Sequence, residues 1–216
     1  MRFKSLILAV TLTLSSCSSS GQPDAPKVQL SSSISGEKEV ENGENTWIDI
    51  TTNSGEVKYD MTTNAKDFIA QKNNAFQNIT KNLNNQENKD VYYDYYVAAM
   101  ELERGLQFVE VEGVSIRKDF NNLQHLTRII KDEQQKRVEN SNPADFGEYK
   151  TAMMKDWKAP SDRMKRAINY LTKLLNDLDI TINHDGNGKI FGYAYQEDGP
   201  KTVELETFLQ EDIQQQ

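Results

Sequence analysis

The centre of the chain carries a long heptad-like apolar seam. Between residues 90 and 139, apolar positions recur at alternating intervals of three and four, which is typical of one face of a packed helix. We favour one continuous helix over 90–139, because the segments on both sides of residues 109–114 share one register. The alternative is a break at 109–114, where Val109 and Val111 also fit strand alternation. The seam consists of Tyr92, Tyr95, Ala99, Leu102, Leu106, Val109, Gly113, Ile116, Phe120, Leu123, Thr127 and Ile130.

Two further helices are predicted on either side of this seam. One covers 64–87, where Asn64 can cap the helix. The other covers 143–179, where Pro160 ends or kinks the helix and Ser161 can restart it. A short connection between long helices favours antiparallel packing. We therefore expect a mainly α fold, either a long antiparallel helical hairpin or a three-helix bundle.

Minor β structure is expected at both ends of this single domain, which spans 45–216. Residues 45–61 alternate around the turn residues 53–55, which predicts a hairpin in which Val57 and Tyr59 can cover Ile48 and Ile50. Residues 180–213 combine Asp-Gly and Asn-Gly turn signals with alternating aromatic positions. They predict a second hairpin, followed by a short strand or helix from residue 202.

Charge and rare residues exclude several function classes. The 216 residues include 33 acidic and 25 basic side chains, a net charge of −8, which argues against a nucleic-acid-binding protein. One cysteine and two histidines, His125 and His184, exclude a disulfide scaffold, a cysteine-rich zinc site and an HExxH metalloprotease. We predict no cofactor and assign no catalytic residue.

The first 17 residues have the pattern of a secretion signal. Arg2 and Lys4 precede the apolar run 6–14, and nine residues are too few for a membrane-spanning helix, which needs about 20. The run ends in Leu14-Ser15-Ser16-Cys17, which resembles the lipobox of bacterial lipoproteins. The resemblance implies removal of a signal peptide, 1–16, and lipidation of Cys17. Residues 17–44, rich in Ser, Gly, Pro and charge, are then expected to form a flexible tether.

The compartment follows from the same resemblance. A lipidated protein of this kind is extracytoplasmic and held to a membrane by its N-terminal acyl chains. Ser18 follows the cysteine, which resembles the outer-membrane default of bacteria with two membranes. In a host with a single membrane, the anchor would be the plasma membrane.

One loop resembles the front half of an EF-hand calcium loop. Asn183, Asp185 and Asn187 alternate ahead of Gly188, but the position of the bidentate glutamate is occupied by Ala194. Because a single carboxylate remains, we interpret the loop as a structural turn, with a weak calcium site as the alternative.

A cluster of tyrosines gives the best candidate partner surface. Tyr92 and Tyr95 belong to the seam, so we expect them to pack internally, whereas Tyr93 and Tyr96 face elsewhere and are candidates for contacting a partner. The preferred function is a lipid-anchored, non-enzymatic binding or scaffold module for another envelope protein. The alternative is a lipoprotein that binds or hydrolyses cell-wall material at a site near the β elements.

Overall fold

The computed structural model describes residues 46–51, 64–81, 90–139 and 156–213. It confirms a mainly helical fold with minor antiparallel β structure. The order of elements is β1 (Ile48–Asp49), α1 (Ala65–Lys81), α2 (Val91–Leu106), β2 (Val111–Glu112), α3 (Val114–Val138), α4 (Asp162–Asn183), a 3-10 turn (Tyr195–Glu197) and α5 (Thr202–Ile213). Helix α3 packs against α2 and α4, and α1 packs against α2 and α4.

The predicted continuous helix over 90–139 is wrong. Helix α2 ends at Leu106 and α3 begins at Val114, and between them β2 pairs with β1 in an antiparallel ribbon. Gly113 has a φ of 141°, where other residues are strained, and an added Cβ would lie 2.7 Å from the carbonyl oxygen of Thr46. The chain therefore turns at Gly113, and tertiary pairing outweighs the helical register. The segment predicted to pair with β1 in a 45–61 hairpin lies outside the described residues.

The ends of α2, α3 and α4 meet at a buried arginine. Arg137 of α3 forms an ion pair with Asp90, whose carboxylate also accepts hydrogen bonds from the N–H groups of Tyr92 and Tyr93 at the start of α2. The Nε of Arg137 donates to the carbonyl oxygen of Lys158 at 2.9 Å, just before α4. This side chain thus holds three helix ends together.

Helix α4 starts where the sequence predicts a restart. The Oγ of Ser161 accepts from the N–H of Met164 at 3.0 Å and donates to Glu133 of α3 at 2.5 Å. Burial opposes ionisation of Glu133, but its bonds to Lys136 and Ser161 outweigh burial and lower its pKa. The predicted C-terminal boundary of this helix, residue 179, is wrong, because α4 continues to Asn183. Of the predicted range 143–179, residues 143–155 lie outside the described part.

The predicted C-terminal hairpin is also wrong. Residues 180–183 form the last turn of α4, and no strand follows between 184 and 213 in the part of the chain that the structure describes. The aromatic stretch 191–195 forms no strand, and its N–H groups at 191, 193 and 195 donate to side chains of α3 and α4. The terminal element is the helix α5. None of the helices in the described ranges combines the length and apolar character needed to cross a bilayer.

Candidate functional site

The residues of the predicted loop site are held by the protein itself. Asn183 ends α4, and its Nδ2 donates to the carbonyl oxygen of Lys66 at 3.1 Å and to the carboxylate of Asp179 at 2.8 Å. Asp185 is exposed and has a φ of 49°, and the N–H of Gly186 closes the turn onto Ile180 at 3.0 Å. This geometry is that of a helix C-terminus.

The described residues supply no metal cluster beside this turn. Within the described ranges, there is no group of three or more His, Cys, Asp or Glu side chains that could hold a metal ion. Asn187 is exposed, and its N–H donates to the carbonyl oxygen of His184 at 2.8 Å. The interpretation as a structural turn stays a prediction.

The candidate tyrosines lie where α2 meets the connection into α4. Tyr93 packs on Tyr96, with ring centres 5.7 Å apart, and on the buried Trp157 at 5.4 Å. Both tyrosines are half-buried, and Tyr95 is buried against Phe76 of α1. A direct role of Tyr93 and Tyr96 in partner contact stays a prediction, and their visible role is packing.

Two buried carboxylates escaped the sequence reasoning. Asp177 accepts hydrogen bonds from the N–H groups of Phe191 at 2.6 Å and Tyr193 at 2.7 Å. Asp119 accepts from Tyr195 at 2.8 Å and Gln196 at 2.9 Å. Both carboxylates are 0% exposed. Each therefore uses its oxygens on backbone donors and has none presented to a substrate.

Burial dominates the electrostatics of Asp119. Desolvation raises the pKa of its carboxyl to about 7, although the two N–H bonds act in the opposite direction. A raised pKa in a cleft marks candidates for acid–base catalysis. The side chain of Asp119 is fully buried rather than in a cleft, so its raised pKa follows from burial and does not mark a candidate for catalysis.

The most distinctive surface lies at the β1–β2 ribbon. Four of the seven exposed large apolar side chains in the described ranges are in or beside its strands: Ile48, Ile50, Phe108 and Val114. Their exposed fractions are 61%, 42%, 63% and 62%. We call these four residues the ribbon patch. Such gathering of exposed apolar groups marks interaction sites in soluble proteins.

The ribbon patch also carries acidic groups. Ile48 lies opposite Glu112, and the N–H of Ile50 donates to the carbonyl oxygen of Glu110 at 3.0 Å. Opposed residues of an antiparallel pair project to the same face. The exposed face of the ribbon therefore alternates apolar side chains with the two exposed carboxylates.

The opposite face of the ribbon is tied to the helices. The carboxylate of Asp49 accepts from the N–H of Ala65 at 2.5 Å, at the start of α1, and from the N–H of Thr51 at 3.0 Å. Burial opposes ionisation of Asp49, but these donors and the Thr51 hydroxyl outweigh it and lower its pKa. Since Asp49 also shares this face with the buried Val111, the ribbon is fixed on the bundle.

An open groove of 320 Å³ adjoins the ribbon patch. Ile50, Leu106 and Phe120 supply apolar walls, while Glu110 and Arg117 supply charge. The sequence predicts that Ile48 and Ile50 share one strand face, but with Val57 and Tyr59 covering them, and those two residues lie outside the described part. It did not signal that Phe108 and Val114 would flank the same ribbon.

Comparison with known proteins adds no relative: no family model, curated protein or solved structure matches this chain. The functional argument rests on the residues themselves.

Proposed function

We propose that this protein is a lipid-anchored, extracytoplasmic envelope protein that binds another protein through the ribbon patch and catalyses no reaction. The observation that carries the proposal is the concentration of exposed apolar side chains at one ribbon, beside a groove. Burying such side chains on association releases roughly 25 cal/mol per Å² of apolar area. Glu110 and Glu112 on the same face favour a partner whose apolar contact residues are flanked by lysine or arginine.

The anchor rests on the resemblance of Leu14-Ser15-Ser16-Cys17 to a lipobox. Removal of residues 1–16 takes away Arg2 and Lys4, so the net charge of −8 becomes −10 for the mature chain. An acidic surface is compatible with protein partners and disfavours adhesion to nucleic acid.

The alternative function, action on cell-wall material, needs convergent polar groups in a concave site. The groove carries Glu110 and Arg117 on its wall, but the two buried carboxylates, Asp119 and Asp177, are engaged by backbone N–H groups elsewhere. No observation favours hydrolysis over protein binding.

Site-specific crosslinking in the native envelope tests the binding site. A photoreactive residue at Phe108 is compared with one at Val203, which is also exposed, at 69%, but lies on α5. We expect one partner to be captured from Phe108 and not from Val203. The purified partner should then bind the purified chain, and the double variant Ile48→Ser/Phe108→Ser should weaken that binding at least about tenfold.

Three outcomes would contradict this site. Equal capture from both positions would indicate non-specific contact. A crosslink between two copies would make the ribbon patch a homodimer interface. An intramolecular crosslink to residues 52–63 would show that the chain covers its own patch.

A separate experiment tests the anchor. Cys17→Ser removes the thiol that accepts lipid, so the variant should leave the membrane fraction or persist as an uncleaved precursor. Ser19→Ala is the matched control and should remain membrane-bound. Membrane fractionation and mass analysis of the N-terminus report the result, and an unmodified N-terminus at another residue of the membrane-bound protein would refute lipidation.

A further inference from the structure

Three lysines converge on two aromatic rings in the C-terminal part of the fold. The ammonium group of Lys173 lies 5.4 Å from the ring centre of Tyr193 and 5.7 Å from that of Phe191. Lys189 lies 4.9 Å from the Phe191 ring, and Lys201 lies 5.3 Å from the Tyr193 ring. We call these three residues the lysine strip. Lys173 lies in α4, Lys189 in the loop after α4, and Lys201 directly before α5, so the tertiary fold brings them together.

The backbone beneath the lysine strip is firmly held. The carbonyl oxygen of Lys189 accepts from Nδ2 of Asn176 at 2.7 Å, and the N–H of Lys201 donates to the carbonyl oxygen of Gly192 at 2.8 Å. Between these points, Asp177 binds two backbone N–H groups. The backbone that carries Lys189 and Lys201 is thus held in place.

The lysine strip has no carboxylate partner among the described residues. Within the described ranges, no ion pair within 4.0 Å involves any of its members, whereas Lys72, Lys131 and Lys165 lie 3.9, 3.7 and 2.9 Å from acidic side chains. The chain as a whole has a net charge of −8, so three lysines without a carboxylate partner on one strip are a distinct feature of its surface.

The acidic residue at the same rings is otherwise engaged. Glu204 accepts from the hydroxyl of Tyr170 at 2.9 Å and lies 3.4 Å from that of Tyr193. Burial, together with the charge of Glu204, raises the pKa of Tyr193 to about 12, so this hydroxyl keeps its proton and donates to the carboxylate. Glu204 is therefore occupied by hydroxyl groups.

We propose that the lysine strip binds the phosphate headgroups of an anionic bilayer and thereby orients the helical domain on the membrane. This inference rests on the lipid anchor of the proposed function. Each lysine near an anionic membrane surface contributes roughly fivefold to partitioning, which is modest for a soluble protein. A lipid anchor already holds the domain next to the headgroups at a high effective concentration. The roughly fivefold contribution of each lysine is then enough to favour the orientation in which the lysine strip faces the membrane.

Side-chain chemistry favours headgroups over one fitted anion. Lys189 and Lys201 are exposed, and lysine ammonium groups are compact point charges on long stems that adapt to phosphates at varied positions. Their ammonium groups rest over the rings of Phe191 and Tyr193 and can leave these rings for a phosphate at little cost, because an exposed cation–π contact contributes only about 0.5–1 kcal/mol.

Lysine footprinting on vesicles tests the orientation. Cys17 is the only cysteine, so the mature chain can be coupled through this thiol to a maleimide lipid. Acylation of each lysine is then compared on phosphatidylcholine vesicles with and without about 30% phosphatidylglycerol. We expect acylation of Lys189 and Lys201 to slow about fivefold on the anionic vesicles, and about 0.5 M salt to remove this protection. Lys158, which is exposed on another segment, should be unaffected. Equal rates on both vesicles, or protection of Lys158 instead, would overturn the proposal.

Charge-matched variants test the same surface without any anchor. In unlipidated Cys17→Ser chains, the triple variant Lys173→Gln/Lys189→Gln/Lys201→Gln should partition about 100-fold less onto phosphatidylglycerol vesicles. The control, Lys72→Gln/Lys131→Gln/Lys165→Gln, loses the same charge from ion-paired positions and should lose less than about tenfold. If both triple variants lost the same amount of vesicle binding, the effect would be due to net charge alone, and the proposal for the lysine strip would be refuted.

Two further results separate this proposal from others. Saturable binding of inorganic phosphate that is lost in the strip variant would identify a free-anion site and overturn headgroup binding. The vesicle-partitioning experiment uses unlipidated protein. If the unmodified strip failed to bind anionic vesicles there, the proposal for the lysine strip would be refuted, while the proposal for the lipid anchor would be unaffected.

Discussion

Asp119 and Asp177 belong to different helices, α3 and α4, and bind adjoining parts of one segment, 191–196, that has no strand partner. Asp177 takes the N–H groups of residues 191 and 193, and Asp119 takes those of residues 195 and 196. A buried backbone N–H without an acceptor is costly, and a segment without a strand partner must find acceptors elsewhere. The two carboxylates thus replace the missing β partner and lead the chain into α5.

Removal of the Asp177 carboxylate should destabilise the fold severely. Asp177→Ala leaves two N–H groups unpaired and deletes two charge-assisted bonds, so the free energy of unfolding should fall by about 3–5 kcal/mol. Urea denaturation measures the change. Asp185→Ala, at an exposed turn, is the control and should stay within about 0.5 kcal/mol of the unmodified protein. A loss below about 1 kcal/mol for Asp177→Ala would contradict the role of this residue.

Asp119 should make stability fall as pH rises. Its pKa is raised from 3.8 to about 7, so the folded state binds the proton more tightly than the unfolded state between these values. The contribution to stability is present below about pH 4 and is lost as pH rises towards 7, with a slope of at most about 1.4 kcal/mol per pH unit.

Asp119→Asn isolates this effect, because every other titrating group is shared with the unmodified protein. The stability of the variant relative to that of the unmodified protein should rise between about pH 5 and 7. Chemical denaturation at both pH values gives this difference. If it is the same at both pH values, the carboxyl of Asp119 does not titrate in this range.

A methyl group at position 105 should disrupt the contact between α1 and α2. A Cβ there would overlap the buried ring of Phe68. Alanine favours a helix interior over glycine by about 1 kcal/mol, yet overpacking costs about 1–3 kcal/mol, so Gly105→Ala should be destabilising.

A double-mutant cycle attributes this cost to Phe68. In the background of Phe68→Leu, which removes ring volume, Gly105→Ala should be less harmful by at least about 0.5 kcal/mol. Thermal or urea unfolding of the four proteins provides the test. A stabilising effect of Gly105→Ala alone would show that the ring moves aside freely.

The turn at 183–187 should not bind calcium tightly. Calcium takes six to eight oxygen ligands, but Asp185 is the single carboxylate among the three proposed positions, and the amide group of Asn183 is engaged by Lys66 and Asp179. Calorimetric titration of the folded chain should give no saturable heat at micromolar calcium. Micromolar binding that disappears in Asp185→Ala would instead make this turn a functional site.

The helical part was predictable because its signals are local. Asn64 was predicted to cap α1, and its Oδ1 accepts from the N–H of Asp67 at 2.8 Å. Ser161 was predicted to restart a helix, and it caps α4. The ribbon patch was not predicted as a site: the alternation of Ile48 and Ile50 was visible, but they were expected to be covered, and the position of Phe108 and Val114 beside their ribbon was not visible.

The sequence by itself determined that the fold is mainly helical, since a helix closes its hydrogen bonds within four residues and shows its buried face at a regular spacing. The tertiary structure alone decided the break at Gly113, the pairing of β1 with β2, and the carboxylates that hold 191–196. Strand pairing and acceptors for an isolated extended segment depend on residues far away in the chain. Local alternation at Phe191, Tyr193 and Tyr195 looks the same whether the partner is a strand or two aspartates on neighbouring helices.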